Sequence, residues 1–287
     1  MPRLTRRRVL AAAAASVGAC GLYTWRVEPH WLQVAHHRMP VRNLPQELVG
    51  ATLLHASDLH IGPQVDDAWL DRVFAVMAEL SPKIVVYTGD FVSVDTDLRD
   101  HAPRMMSRLV RGTLGTFGVL GNHDYRSGWT DEATARQVVT LAEQAGVRIL
   151  RNELADVNGL TIAGMDDLWS HRFRPDAVLP RLNPDGASIA LVHNPDAVDA
   201  PGWDGYSGWI LAGHTHGGQC KPPFLPPPLL PVRNRRYTSG EFTLSGDRRL
   251  YISRGVGHLL RVRFNSRPEL TVFELTPDDG TPCESFG

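Results

Sequence analysis

Five short apolar segments of this chain are each followed by polar residues of the kinds that bind metal ions. The clearest is residues 209–212, which predict a buried strand and lead through Gly213 to His214 and His216. Two histidines one residue apart are poorly placed to chelate one ion from a regular strand, but they suit two neighbouring ions. Taken alone, a Gly-His-x-His sequence is equally compatible with a polar turn. The choice therefore depends on the other four segments.

The same succession of apolar strand and polar residue occurs four more times. Residues 52–57 lead to Asp58 and His60, residues 84–88 to Asp90, residues 116–120 to Asn122 and His123, and residues 187–192 to His193. Between the first two strands, apolar residues from Leu70 to Leu80 recur at the spacing of one helix face. This alternation is typical of an α/β fold, in which ligands gather at the carboxyl ends of the strands.

The last third of the chain predicts more strands and a stiff loop. Residues 241–244, 250–253, 261–264 and 269–275 predict a β meander. The proline-rich residues 221–231 cannot continue a central strand and predict a loop beside the site. With no internal repeat and no long linker, the sequence predicts one domain over residues 45–276. An edge segment at 27–44 precedes this domain, and a tail at 277–287 follows it.

The first 26 residues have the composition of an export signal or a membrane anchor. Thr5 and three consecutive arginines precede an alanine-rich stretch, an order that resembles the twin-arginine signal for the export of folded proteins. Cys20 follows small residues and could be acylated, whereas residues 9–25 are just long enough for an uncleaved anchor. We therefore expect a domain on the outer face of the inner membrane, in the periplasm or in the cell envelope, attached to the membrane through this segment.

Charge and cysteine content limit the partners. The chain has a net charge of −1, and four arginines lie in its first 19 residues, so the remainder carries −5. A mildly acidic body argues against nucleic acid as the main partner, because nucleic-acid binding usually requires a concentrated basic face. Cys20, Cys220 and Cys283 form no disulfide framework, although the last two could either pair or remain free thiols.

The polar residues that follow the five strands form a donor set for metals: Asp58, His60, Asp90, Asn122, His123, His193, His214 and His216. Oxygen and nitrogen donors without cysteine suit manganese, iron or zinc. Two ions that share a carboxylate lie about 3.5–4 Å apart, bind a phosphate and lower the pKa of a bridging water. The hydroxide then attacks phosphorus, and an acid protonates the leaving oxygen. His123, followed by Asp124 to orient its imidazole, is the candidate acid.

The order of these motifs resembles that of the calcineurin-like metallophosphoesterases. Asp-x-His, Gly-Asp, Gly-Asn-His-Asp, a later single His and Gly-His-x-His are all present between residues 58 and 216. The resemblance implies an α/β fold, a four-layer α/β/β/α sandwich of two mixed sheets, and two divalent ions bridged by Asp90. It implies one ion held by Asp58, His60, Asp90 and His216, the other held by Asp90, Asn122, His193 and His214, and His123 as the acid.

Further motifs resemble bacterial YaeI/YkuE-like phosphodiesterases that carry a twin-arginine signal. They are Asp-Leu-Trp at 167–169, His-Asn-Pro-Asp at 193–196, Gly-His-Thr-His-Gly-Gly-Gln at 213–219, Arg-Tyr at 236–237 and Arg-Gly-Val-Gly at 254–257. This resemblance implies a phosphodiester substrate, which could be linked to the envelope or to a lipid. One departure is Ser93, where the family often has a second aspartate that supports the site without binding metal.

Three further residues are candidates for substrate contacts. Arg254 and the glycines after it could bind a phosphate, although a glycine turn between strands explains them at least as well. Asp167 and His171 could line the pocket. Pocket width decides between a diester, a monoester and the pyrophosphate of a nucleotide-linked lipid of the UDP-diacylglucosamine type, and ligand spacing does not reveal it. A metal-free scaffold is disfavoured because every expected ligand is present.

Overall fold

The computed structural model describes residues 5–278. Cys283 lies outside these residues, and so does the predicted tail beyond residue 278. Helix α1 (Arg6–Leu22) comes first, and the Thr5 side chain caps it by accepting a hydrogen bond from the backbone N–H of Arg8. No residue of α1 is buried. Within residues 5–278 we find no helix that combines the length and the apolar character required to cross a bilayer.

Within residues 5–278, twelve strands form two mixed sheets of six strands each. Sheet 1 contains β1 (Gln33–Val41), β2 (Thr52–Ala56), β3 (Ile84–Thr88), β4 (Gly115–Val119), β5 (Arg148–Ile149) and β12 (Glu269–Pro277). Sheet 2 contains β6 (Glu153–Val157), β7 (Leu160–Gly164), β8 (Ala187–Leu191), β9 (Gly208–Ala212), β10 (Gly240–Thr243) and β11 (Arg248–Ile252). The order is β1-β12-β2-β3-β4-β5 in sheet 1 and β10-β11-β9-β8-β7-β6 in sheet 2.

Most neighbouring strands in both sheets are parallel. In sheet 1 the strands β2 to β5 are parallel, while β12 runs antiparallel to β2 and parallel to β1. In sheet 2 the strands β7, β8, β9 and β11 are parallel, and β6 and β10 are antiparallel to their neighbours. Parallel strands buried on both faces read as short continuous apolar runs, which is the pattern seen in the sequence.

Three α-helices cover the outer face of sheet 1. They are α2 (Asp67–Glu79), α3 (His101–Met106) and α4 (Glu132–Gln144). The predicted helix around Leu70 is confirmed as α2, which buries Leu70, Val73 and Met77 against the sheet. Asp131 caps helix α4, because its carboxylate accepts the backbone N–H groups of Ala133 and Thr134 in the first turn.

Apolar side chains fill the space between the two sheets and cover both outer faces. Leu53, Phe117 and Phe273 from sheet 1 meet Ile162 and Leu211 from sheet 2 in the central layer. On the outer face of sheet 2, short 3-10 turns and the loop through residues 200–207 replace the α-helices. The predicted α/β sandwich of two mixed sheets is confirmed, and its fourth layer consists of these turns.

The predicted β meander is wrong. Strands β10 and β11 form an antiparallel hairpin in sheet 2, whereas β12 crosses to sheet 1 and pairs with β1 and β2. Residues 261–264 form no strand. The guanidinium of Arg263 is fully buried there and donates to four backbone carbonyl oxygens. These hydrogen bonds hold the segment against the interior instead of at the edge of a sheet. A buried charge is stable only with such partners.

Candidate metal centre

The structure brings the predicted ligands together in the loops that follow five parallel strands. Five of these ligands have positive φ angles between 49° and 71°: Asp58, His60, Asp90, His214 and His216. This backbone conformation is unfavourable for residues with a side chain and persists where the surrounding structure enforces it. The loops after β2, β3, β4, β8 and β9 thus direct their polar side chains into one buried cluster.

The first group of ligands consists of Asp58, His60 and His216. His216 Nε2 lies 3.1 Å from His60 Nε2 and 3.4 Å from Asp58 Oδ1. His60 Nε2 also lies 3.5 Å from Asp90 Oδ2. Both Asp58 oxygens accept the backbone N–H of His214 at 3.1 Å. This bond joins the loop after β9 in sheet 2 to the loop after β2 in sheet 1.

The second group consists of Asp90, His193 and His214. His193 Nε2 lies 3.2 Å from Asp90 Oδ2 and 3.1 Å from His214 Nδ1. His193 Nδ1 donates to the Thr88 carbonyl at 2.7 Å, and His214 Nε2 donates to the Pro231 carbonyl at 2.8 Å. Each bond orients its ring and leaves the other nitrogen free to bind a metal. Asp90 Oδ2 faces histidines of both groups, which is the position a bridging carboxylate requires.

Asn122 supplies a test of whether the site fits metal ions. Its carboxamide is buried, and neither Oδ1 nor Nδ2 has a hydrogen-bond partner among the described residues. Leaving a buried polar group unsatisfied costs about 1–3 kcal/mol. An amide oxygen that binds a cation removes this penalty, so Asn122 and the two groups together fit two divalent ions. Donors of this kind accept several metals and do not select one.

The charges of the cluster also fit a pair of cations. Burial lowers the pKa of His60 and of His214 to about 3, so both imidazoles are neutral. Burial raises the pKa of Asp58 to about 6, and the charge of Asp90 adds to this rise. Burial alone would lower the pKa of His193, but Asp90 and Asp58 raise it to about 10. Cations can take the place of the protons that such a cluster must otherwise hold.

Two glycines beside the ligands are required by close packing. A Cβ atom on Gly213 would lie 1.9 Å from Ser57 Oγ and 2.4 Å from Asp58 Oδ2. A Cβ atom on Gly121 would lie 2.2 Å from Asp90 Oδ1. Any side chain at either position would displace a ligand, which explains the glycine in the Gly-His-x-His and Gly-Asn-His-Asp sequences.

His123 borders the cluster, but Asp124 does not contact its imidazole. The His123 ring packs edge-on against His60 with 4.9 Å between ring centroids, and its Nδ1 has no hydrogen-bond partner within residues 5–278. The Asp124 carboxylate instead accepts the backbone N–H groups of Gly121 at 2.8 Å and Val92 at 3.1 Å. The predicted role of Asp124 as the group that orients His123 is therefore wrong. Asp124 stabilises the loops that carry Asn122 and Asp90.

Of the three predicted substrate contacts, the structure places Asp167 at the cluster. Asp167 is buried, its Oδ1 has no hydrogen-bond partner among the described residues, and burial raises its pKa to about 7. Arg254 forms an ion pair with Glu269, and its predicted phosphate contact stays a prediction. His171 is exposed and has no hydrogen bond or ion pair through its side chain in the described part of the chain.

Two tryptophans form an aromatic wall between His123 and His214. Trp129 packs against His123 with 4.9 Å between ring centroids, and Trp169 packs edge-on against His214 at 4.6 Å. The two indole rings lie 6.1 Å apart. Trp169 stands in one of the sequence motifs, but Trp129 lies in a turn with φ of 58° and belongs to no periodic pattern. Sequence reasoning had no signal for this wall.

A buried arginine and the segment before β1 support His216 from behind. Arg263 Nη2 lies 3.3 Å from His216 Nδ1, and the Ser266 hydroxyl donates to the His216 carbonyl at 2.7 Å. The backbone N–H of Arg263 donates to the Thr24 carbonyl at 2.9 Å, and that of Ser266 donates to the buried Glu28 carboxylate at 2.5 Å. Residues 24 and 28 are thus part of the support of the metal centre.

Known proteins resemble this chain over nearly its whole length. Phosphodiesterase YaeI of Escherichia coli is 30% identical, over 95% of this chain and 99% of that protein. The uncharacterized metallophosphoesterase YkuE of Bacillus subtilis is 31% identical, over 96% of this chain and 99% of that protein. The UDP-2,3-diacylglucosamine pyrophosphatase LpxG of Chlamydia trachomatis is 26% identical, over 91% of this chain and 95% of that protein.

The sequence profile of the calcineurin-like phosphoesterases matches residues 51–218, which include every predicted metal ligand. This match and the two groups of ligands indicate a dinuclear centre for divalent metals. The family predicted from the motifs is confirmed. The chain belongs to the calcineurin-like phosphoesterase family and is a metal-dependent phosphoric ester hydrolase.

Proposed function

We propose that the chain hydrolyses phosphodiesters at this dinuclear centre. The position of Asp90 carries the proposal, because its Oδ2 lies 3.5 Å from His60 Nε2 and 3.2 Å from His193 Nε2 and so faces both ligand groups. Two divalent ions held here would bind phosphate oxygens and activate water for attack on phosphorus. The two groups of ligands would hold the ions, and a substrate bound there would lie beside the aromatic wall of Trp129 and Trp169.

His123 is the group that we propose as the acid for the leaving oxygen. Its backbone N–H donates to Asp90 Oδ1 at 2.9 Å, which fixes the residue beside the bridging carboxylate. Its ring is held between His60 and Trp129, and its Nδ1 is free of protein partners within residues 5–278. An imidazole so placed can give a proton to an oxygen of the substrate.

Two observations favour a diester over a monoester. The aromatic wall of Trp129 and Trp169 offers apolar contact to an organic group on the phosphate, as a diester carries on both sides. Arg254 is paired with Glu269, so it does not offer an unpaired positive charge to a monoester dianion. The name of the Escherichia coli relative, a phosphodiesterase, supports the same choice.

A pyrophosphate in a nucleotide-linked lipid is the second candidate substrate. The observation in its favour is the Chlamydia trachomatis relative, which is named as a pyrophosphatase of UDP-2,3-diacylglucosamine.

We further propose that the domain works on the outer face of the inner membrane after export by the twin-arginine route, as the arginines at positions 6–8 and the alanine-rich α1 suggest. Precursor lipids of this type are cytoplasmic, so an outward location favours the diester.

The test compares hydrolysis of bis(p-nitrophenyl) phosphate with that of p-nitrophenyl phosphate by the full chain loaded with Mn²⁺. We expect diester turnover that is lost on chelation and recovered when Mn²⁺ is restored. The full chain is needed because Thr24 and Glu28 support the metal centre. Preference for the monoester would contradict the proposal. Inactivity on both esters with two ions bound would favour the pyrophosphate.

Replacing His123 by asparagine should slow hydrolysis, and the size of the loss should depend on the leaving group. Loss of a general acid lowers kcat by about 10²–10³-fold for a diester with an alkyl leaving group. The effect should be much smaller for p-nitrophenolate, which departs without a proton. Metal content measured by mass spectrometry should be unchanged. His36→Gln, at an exposed histidine of β1, is the matched control. Equal losses on both substrates would assign His123 another role.

A further inference from the structure

Three segments of the chain join side by side next to the metal centre. Gln219 Nε2 donates to the Leu260 carbonyl at 2.6 Å, and the backbone N–H of Lys221 donates to the Phe264 carbonyl at 2.8 Å. The backbone N–H of Arg263 donates to the Thr24 carbonyl. The proline-rich loop 221–231, the loop 257–264 and the segment after α1 therefore form one continuous surface.

The proline-rich loop is also a wall of the metal centre. The Pro231 carbonyl accepts the hydrogen bond that orients His214. Gly218, two residues after His216, packs so closely on Pro227 that a Cβ atom would lie 2.2 Å from its Cβ. A partner bound to the outer side of this loop would therefore lie close to the metal ligands.

Five apolar side chains project from these loops into solvent: Phe224, Leu225, Leu229, Leu259 and Leu260. We call this set the apolar rim. Exposure ranges from 41% for Leu259 to complete exposure for Phe224. Single exposed apolar residues are common, but a cluster of five on adjoining loops marks a surface that binds a partner. The prolines at positions 222, 223, 226, 227 and 228 stiffen the loop, so it loses little conformational entropy when it binds a partner.

The charged residues within the segments that form this surface are all basic. Residues 5–27, 219–240 and 257–268 contain eleven lysines and arginines and no aspartate or glutamate. Since the whole chain has a net charge of −1, the remainder carries −12. Of the eleven, Arg263 is buried and Arg261 pairs with Asp66. Lys221 begins the proline-rich loop, and Arg235 donates to the Pro227 carbonyl at 2.7 Å, so both place positive charge beside the apolar side chains. This combination matches the headgroups and acyl chains of an anionic bilayer.

Helix α1 continues this surface. It has no buried residue, and its apolar side chains, among them Val17 and Leu22, are exposed. The helix leads directly to Thr24, which is bonded to Arg263. A second copy of the chain is a poorer occupant than a lipid surface, because two rims of the same charge repel each other.

We propose that the apolar rim docks on the surface of an anionic lipid bilayer, which orients the metal centre toward phosphoesters in or near the headgroup layer. Phe224, Leu225 and Leu229 enter the interface, and Lys221 and the neighbouring arginines contact the headgroups. The binding step does not depend on hydrolysis. The rim would bind lipid even if the preferred phosphoester were not a diester. The proposal of lipid binding and the proposal of diester hydrolysis can therefore fail separately.

The test measures co-sedimentation of the full chain with vesicles of phosphatidylethanolamine and phosphatidylglycerol over a range of lipid concentrations. Leu225→Ser/Leu229→Ser removes two side chains from the rim and leaves α1 intact. Val49→Ser/Leu114→Ser is the matched control, since these residues are 39% and 40% exposed and precede β2 and β4 at the opposite end of the strands. Metal content and melting temperature report whether each variant is folded.

We expect the lipid concentration for half-maximal binding to rise about tenfold in the rim variant, because each leucine loses its transfer into the interface. The control should bind as the unmodified chain does. Vesicles of phosphatidylcholine alone should bind more weakly, since they lack the anionic headgroups. Equal binding by the rim variant and the control would overturn the proposal and leave α1 as the sole contact. Failure of the unmodified chain to bind, or a dimer that the rim substitutions dissociate, would also overturn it.

Discussion

Replacing Asp90 by asparagine should lower kcat/KM for bis(p-nitrophenyl) phosphate by about 10³-fold, because the substitution removes the charge shared by both ions. The amide keeps the size of the carboxylate and an oxygen that can accept the backbone N–H of His123. Folding should therefore be preserved, while one nitrogen now faces His60 or His193. Metal analysis should show fewer than two ions per chain. Turnover and metal content measured together separate this cause from unfolding.

Asp67→Asn is the matched control for this substitution. Asp67 lies in α2 and pairs with His101 and Arg104, away from the metal ligands. An exposed pair of this kind contributes about 0–1 kcal/mol, so turnover and metal content should stay unchanged. Full activity after Asp90→Asn would contradict a dinuclear mechanism.

The metal ligands could be predicted from sequence because each one lies close to the strand that positions it. Residues 84–88 and Asp90, or residues 209–212 and His214, form a local pattern that needs no knowledge of the rest of the fold. The two mixed sheets follow from the same alternation of strand and helix. The structure adds the close packing of Gly213 and Gly121 against the carboxylates, which explains the glycines in these patterns.

Contacts between distant segments could not be predicted in this way. The partners of Asp124 are two backbone N–H groups, and a neighbouring histidine in the sequence was a plausible but wrong alternative. Strand β12 follows β10 and β11 in the sequence, yet it pairs in the other sheet. Pattern alone identifies a strand but does not identify its neighbour. The wall of Trp129 and Trp169 likewise depends on two loops that meet only in the folded chain.

Arg263 is the clearest residue whose role depends on contacts between distant segments. Its replacement by methionine should have a large effect on stability. Its guanidinium is buried, and it donates to the carbonyl oxygens of Ser266, Arg254, Gly255 and Gly257. Burial lowers its pKa to about 10, so it stays charged at neutral pH. Methionine fills the space but removes the donor of the Ser266, Arg254 and Gly257 carbonyls, whereas the Gly255 carbonyl keeps the backbone N–H of Glu269. We expect the free energy of unfolding of the metal-free chain to fall by about 3 kcal/mol in urea titrations.

The same substitution should weaken one metal position selectively. Arg263 Nη1 donates to the Ser266 carbonyl at 2.9 Å, and the Ser266 hydroxyl donates to the His216 carbonyl at 2.7 Å, so Arg263 holds the backbone that positions His216. Loss of such support typically lowers metal affinity by about 10–100-fold. Titration with Mn²⁺ should then show one tight site, served by Asp90, His193 and His214, and one weakened site. Arg261→Met, at a partly exposed arginine two residues away, should change neither stability nor affinity. Equal weakening of both sites would mean that Arg263 stabilises the domain as a whole and does not position His216.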